Sequence, residues 1–271
     1  QWLYGKHDEH LHHKRRYYKS ELVDLVISAG YKVKQITHFN TLLFPIALVV
    51  RLYEKYIQRE KKIKNLKCYH KDMLKLENIT LILMTSVKLD KSVKALIHSC
   101  KGIEWGAVKL VSDEKPGNLP EYITHEFCPK MSNIDEWNYA VIYELPTHVD
   151  TEFSVLIHDD GFVVNADSWR PEFLEYDYIG APWPLPDPND KVSYRDIKGE
   201  LIRVGNSVSL RSKKLLDLPI ELDLEWKPFH GFYNEDGFIA VNYRHIYKEH
   251  GCKFAQIDVA KHFSHEVMIP E

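Results

Sequence analysis

The stretch VLIHDDG, residues 155–161, decides how the fold is read. Three apolar residues suited to a buried strand run directly into His158, Asp159 and Asp160, then a glycine. An unpaired charge that is truly desolvated is costly, so two adjacent carboxylates at the end of a hydrophobic strand need an explanation. Either the strand ends at the surface and the acids are solvated, in an Asp-Asp-Gly turn of ordinary composition, or a cation sits there.

The segments around this stretch alternate in period. NITLILMTS (78–86) is a short apolar run of β-formers, KLDKSVKALIHSC (88–100) places Val93, Leu96 and Ile97 on a helical face, and EWGAVKLVSD (104–113) is a second strand. SNIDEWNYAVIYEL (132–145) opens with a capping box from Ser132 to Asp135 and predicts a helix. FSVLI (153–157) is the next strand. Strands separated by single helices predict an α/β fold with a mostly parallel sheet covered on both faces. Ligands in such sheets lie at the carboxyl ends of the strands, where His158, Asp159 and Asp160 fall.

Composition sets the class. The chain has 271 residues, 44% hydrophobic and 12% aromatic, which suits a globular protein with one large core or two smaller ones. Lys+Arg 36 against Asp+Glu 39 gives a formal charge of −3, and this balance predicts no nucleic-acid partner. Cys68, Cys100, Cys128 and Cys252 form no CxxC pair and read as reduced thiols, which predicts a cytoplasmic location. The longest apolar run, LLFPIALVV (42–50), is short of the ~20 residues of a spanning helix and leaves peripheral membrane contact open.

A charged stretch, QREKKIKNLK (58–67), divides the chain into a first segment (1–57), a linker (58–66) and a main domain (67–271). In the first segment Leu22, Leu25, Val26 and Ala29 share a helical face. Ser20 is placed as N-cap and Gly30 just past the C-terminus, with a strand through Val33 and Ile36 to follow. His7, His10, His12 and His13 are dense, but their spacing matches no zinc pattern.

Further along, FLEYDYIGAPW (173–183) reads as a rigid aromatic loop over a pocket, with Trp183 the candidate stacking residue ahead of Trp169, Tyr176 and Tyr178. RVGNSVSLRS (203–212) combines a Gly205-Asn206 turn with Arg211, suited to a phosphate or to a surface salt bridge. NEDGFIAV (234–241) carries a second acidic pair, Glu235 and Asp236. Two acidic pairs allow two tasks for carboxylates, one holding a cation and one moving a proton.

Two resemblances follow from these residues. WLYGKHDEHLHHKRRYY, then helix, AGY, strand and LLFP, over about residues 1–55, resembles the C-terminal end of a class I S-adenosylmethionine-dependent methyltransferase. The cofactor's glycine-rich loop has no counterpart here, which implies a truncated methyltransferase-like α/β segment that binds no S-adenosylmethionine. LIHDDGFVVN, FLEYDYIGAPW, VGNSVSLRSKKLL, NEDGF and KFAQIDVAKHFSHE, in that order over residues 67–271, resemble a domain family of unknown function that is similar to GT-A glycosyltransferases.

That likeness implies a GT-A-like Rossmann-type mixed sheet flanked by helices. It further implies a nucleotide-sugar donor, a glycan or other hydroxyl acceptor, and a divalent metal, Mn²⁺ or Mg²⁺, on the diphosphate. Asp160 and Asp159 match the metal-binding acids, with His265 or His262 able to complete the shell. Asp159, Gly205, Asn206, Arg211 and Trp183 would then hold the nucleotide-sugar, and Asp236, with Glu235 in reserve, would be the base. HDDG departs from a literal D-x-D, and GNSVSLR is one residue shorter than the family's GNGGxSLR. Two other functions use the same residues, a catalytically silent GT-A-like binding module and a nucleotide-sugar hydrolase.

Overall fold

The computed structural model describes residues 18–36, 73–117, 119–186, 194–229 and 231–266. The chain divides into two compact units, Gln1–Lys71 and Asp72–Glu271. In the first, helix α1 (Lys19–Ser28) starts two residues earlier than expected. Tyr18, not Ser20, is its N-cap, because the Glu21 carboxylate reaches back to the Tyr18 N–H at 3.0 Å. Gly30 follows the helix with φ +85°, the left-handed conformation expected past a C-terminus. No residue of α1 is buried, and residues 31–36 pair with no strand among the described residues, unlike the strand expected there. The N-terminal histidines, the LLFPIALVV run and the charged linker 58–66 lie outside the described residues.

The second unit is built on a six-stranded mixed sheet. Its elements are β1 (Leu74–Met84), α2 (Leu89–Ser99), β2 (Ile103–Ser112), β3 (Thr124–Phe127), α3 (Ile134–Tyr143), β4 (Phe153–Leu156), β5 (Tyr178–Pro182), β6 (Val204–Ser212), α4 (Lys213–Glu221), the single turn α5 (Glu235–Gly237), α6 (Arg244–Glu249) and α7 (Ile257–Phe263). The strand order is β3-β2-β1-β4-β6-β5. β1 pairs in parallel with β2 and β4, β2 with β3, and β6 runs antiparallel to both β4 and β5.

β1 reads as a continuous apolar run because both faces of the sheet are covered. Leu81 and Leu83 point into a core shared with Val93 and Leu96 of α2 and Ala260 of α7. Ile82 and Met84 point the other way, onto Ala140 and Val141 of α3 and Leu216 of α4. Each such side chain, fully buried, contributes roughly 1.5–3 kcal/mol. A third cluster gathers Tyr178 and Phe238 with Tyr247 of α6.

Two local expectations are corrected. The cap of α3 is Asn133, whose Oδ1 accepts from the Glu136 N–H at 2.9 Å, and Glu136 answers by accepting from the Ser132 N–H at 2.6 Å. The aromatic stretch 173–183 contains the edge strand β5 rather than a loop over a pocket. Pro182 ends that strand, a position a residue without an N–H can occupy.

Candidate functional site

The order β2-β1-β4 places a topological switch between β1 and β4, since the chain leaves β1 in one direction and reaches β4 from the other. The HDDG turn stands there. Ile157 N–H still donates to Ile82 O at 3.0 Å, and the chain then turns sharply, His158 N–H donating to Gly161 O at 2.7 Å. A Cβ at Gly161 would stand 2.6 Å from Val208 Cγ2 of β6, so a larger residue here would have to displace that side chain. Antiparallel β6 therefore passes tightly against the turn.

The two acids of the turn part company. Asp159 meets Lys88 Nζ at 3.2 Å, its side chain only 18% exposed. Lys88 precedes α2 and holds a left-handed backbone, φ +52°. Asp160 is exposed and lines a cavity of about 690 Å³, whose wall also includes His158, Asn206, His262, His265 and Glu266. Asn206 keeps its left-handed φ of +94° by an internal bond, its Oδ1 accepting from Val208 N–H at 2.8 Å. Its carbonyl accepts from Tyr178 O–H at 2.9 Å.

His158 lies under the turn against Trp137, ring centroids 5.1 Å apart. Its Nε2 is buried without a hydrogen-bond partner among the described residues. Burial pushes its proton affinity down, while Glu235, Asp160 and Asp159 push it up and Arg211 pushes it down. The turn, Glu235 and Arg211 therefore share one electrostatic neighbourhood.

Arg211 on β6 is 0% and Glu235 on α5 is 1% exposed, and they form an ion pair with Nη2 and Oε1 2.7 Å apart. Arg211 Nε also donates to Ser209 Oγ at 2.8 Å, and Glu235 N–H donates to Asn138 Oδ1 at 3.3 Å. The surface salt bridge weighed for Arg211 is thus replaced by a buried one. The guanidinium forms no part of the cavity wall, although Asn206 and Val208 of the same strand do.

Asp236, the next residue, has a different environment. Burial, reinforced by the charge of Glu235 and, less strongly, Glu266, pushes its carboxyl up to about 7. The Gly237 N–H, donating to its Oδ1 at 2.7 Å, and Arg211 oppose that rise. A carboxylic acid near neutrality can accept and release a proton at ordinary pH.

Trp183 and Gly205 differ from the expected ligand contacts. Trp183 is 4% exposed and stacks on Tyr194 with centroids 3.8 Å apart. Gly205 lies flat under it, where a Cβ would fall 2.0 Å from the indole. A large aromatic gains more from this burial than from an open face. Among the described residues, no group of three or more His, Cys, Asp or Glu side chains gathers closely enough to hold a metal ion alone.

Lys88, Trp137 and Asn138 were not singled out by the sequence. Lys88 stands at a strand-to-helix junction, which was a usable signal. Trp137 and Asn138 lie inside a helix whose composition marks neither.

These features define a mixed α/β domain with an acid-bearing cavity at the carboxyl edge of its sheet. A family described as a protein of unknown function (DUF5672) matches residues 140–271. No curated protein matches the chain. Two solved structures are similar at low identity. One is a mannosyltransferase from Pyrobaculum calidifontis in complex with GDP-Man and Mn²⁺, with 13% identity, TM-score 0.30, and coverage of 56% of this chain and 51% of that one. The other is 4-diphosphocytidyl-2C-methyl-D-erythritol synthase from Anaerococcus prevotii, with 10% identity, TM-score 0.36, and coverage of 68% and 95%. The chain thus spans about half the length of the mannosyltransferase. No described helix is long and apolar enough to cross a membrane.

Proposed function

We propose that the main domain is a glycosyltransferase that moves a sugar from a nucleotide-sugar donor to a hydroxyl of a glycan or other acceptor. One observation carries this reading. An acid-bearing cavity at the β1/β4 switch and a near-neutral carboxylate, Asp236, lie in one electrostatic neighbourhood, linked through His158, Glu235 and Arg211.

The donor would occupy the cavity with its diphosphate at the HDDG turn. Asp160 and His265 offer a carboxylate and an imidazole in one wall, a donor set that fits Mn²⁺ or Mg²⁺ when diphosphate oxygens or water take the other positions. A divalent ion bound there supplies charge compensation to the leaving diphosphate. Asp159, held on Lys88, would set the turn, and Asn206 would face the donor. His158, packed against Trp137, would support the turn from below.

Asp236 would take the proton from the acceptor hydroxyl as it attacks, a role typically worth ~10²- to 10⁴-fold. Glu235, neutralised by Arg211, would hold the proton affinity of Asp236 up rather than act as a base itself. Residues 1–57 would bind no S-adenosylmethionine.

Calorimetry with nucleoside diphosphates and their sugars, with and without Mn²⁺, tests the assignment. Asp160→Asn should abolish metal-dependent donor binding with the fold intact. Asp236→Asn should keep donor affinity within a few-fold and slow transfer by ~10²-fold or more. Equal loss of donor binding in both variants would make Asp236 a binding residue and end this division of roles.

A further inference from the structure

The segment that leads into Asp236 is aromatic and partly exposed, and the core does not account for all of it. Trp226 and Tyr233 stack with centroids 5.5 Å apart and planes 22° from parallel. Trp226 is hemmed on its other sides by Phe238 at 5.4 Å and by the edge of Tyr139 at 6.0 Å. Tyr233, by contrast, is 36% exposed, Tyr139 45% and Phe232 72%.

Phe229 and Phe232 pair through their backbones. Phe229 N–H donates to Phe232 O at 2.7 Å and Phe232 N–H to Phe229 O at 3.0 Å, with Gly231 at φ +84°. Asn138 of α3 ties this loop down at both ends of its polar stretch. Its Nδ2 donates to Tyr233 O at 2.8 Å while its Oδ1 accepts from Glu235 N–H at 3.3 Å. One side chain thereby fixes the spacing between the backbones of Tyr233 and Glu235.

We propose that the outer face of Tyr233, backed by Trp226, is the acceptor platform, and that it takes the C–H face of a pyranose ring in a neutral oligosaccharide. The proposal rests on the transferase reading and supplies its acceptor class. A pyranose presents axial C–H groups on one face and hydroxyls around its rim, which suits a ring with a negative face and a polar tip.

The ring behind Tyr233 and the Asn138 clamp hold the platform before binding, so little ordering is left to oppose association. Asp236 follows Tyr233 by three positions on the chain that Asn138 clamps, and its carboxylate would face the rim of the bound sugar. The platform residues form no part of the cavity wall, which leaves the cavity to the donor.

The test is saturation-transfer NMR with gluco-, manno- and galacto-configured neutral tetrasaccharides, on the full chain with and without a nucleoside diphosphate and Mn²⁺. At least one sugar should bind. Tyr233→Ala should weaken it roughly tenfold or more, the scale of one aromatic contact, and Tyr233→Trp should restore it. Nucleoside diphosphate affinity should stay within about twofold in both variants.

If Tyr233→Ala binds sugar like wild type, or if no tetrasaccharide binds, the platform is refuted. Loss of nucleotide affinity in Tyr233→Ala would instead place the nucleobase on this ring and refute the acceptor role. Should sugar bind while no nucleoside diphosphate does, the platform stands and the transferase reading falls. Tyr233→Phe keeps the stack and separates loss of the platform from a folding defect.

Discussion

Asp236→Asn should make the protein more stable at alkaline pH while slowing the transfer proposed for it. An ordinary aspartate titrates near 3.8, whereas burial beside Glu235 moves Asp236 to about 7. The sign follows from linkage. The folded state holds this proton more tightly than the unfolded state, so the stability it contributes is fully present below about pH 4 and is lost as pH rises through about 7. At about 1.4 kcal/mol per pH unit, the loss attributable to this one group approaches about 4 kcal/mol by pH 8. Asparagine keeps the shape and never ionises, so the variant escapes the loss. Urea unfolding of both proteins from pH 4 to 8.5 measures it: the variant should match wild type near pH 4 and pull ahead by up to about 4 kcal/mol above pH 8. Because only the difference between the proteins is read, every other titrating group cancels unless it is coupled to Asp236. Parallel stability profiles would mean that Asp236 has an ordinary affinity for protons in the folded state, and its candidacy as a base would lose its physical ground. A gain in stability joined to a loss of the chemical step would be the trade-off expected where a buried charge is kept for its chemistry.

The neighbouring acid should behave in the opposite way. Glu235→Gln leaves the Arg211 guanidinium buried without its countercharge and should cost about 3–5 kcal/mol in urea unfolding. The same change removes the negative charge that raises Asp236, so the pH midpoint of the Asp236 carboxyl, followed by NMR, should fall below 7; an unmoved midpoint would show that burial acts alone. Gly205→Ala should destabilise by roughly 1–3 kcal/mol through the indole of Trp183, which has no free volume to yield, and an unchanged melting temperature would refute that contact. Calorimetry should detect no saturable binding of S-adenosylmethionine to the full chain, and deleting residues 1–57 should leave nucleotide affinity unchanged.

The parts of the main domain that periodicity made legible are those buried by local pattern. β1, α2, β2 and β4 read correctly because each presents an unbroken or helically spaced apolar face to a covered sheet. β5 did not, since its Gly-Ala-Pro composition is that of a loop and its edge position tolerates it. Charges were harder for a different reason: composition states that acids are paired in sequence, while chemistry depends on which face each one takes. In HDDG the two carboxylates point apart, Asp159 to Lys88 and Asp160 into the cavity. In NEDGF a single helical turn sends Glu235 onto Arg211, 24 residues back along the chain, and leaves Asp236 with no cation of its own among the bonds described. Each adjacent pair therefore resolves into one acid neutralised by a fixed cation and one left to respond to a ligand or a proton. The neutralised partner is not idle, for its residual field raises the proton affinity of the other at Asp236. The pair as a unit, rather than either carboxylate, is what keeps a near-neutral acid in this neighbourhood. A change to the silent partner should therefore alter the pH dependence of the active one before it alters its geometry.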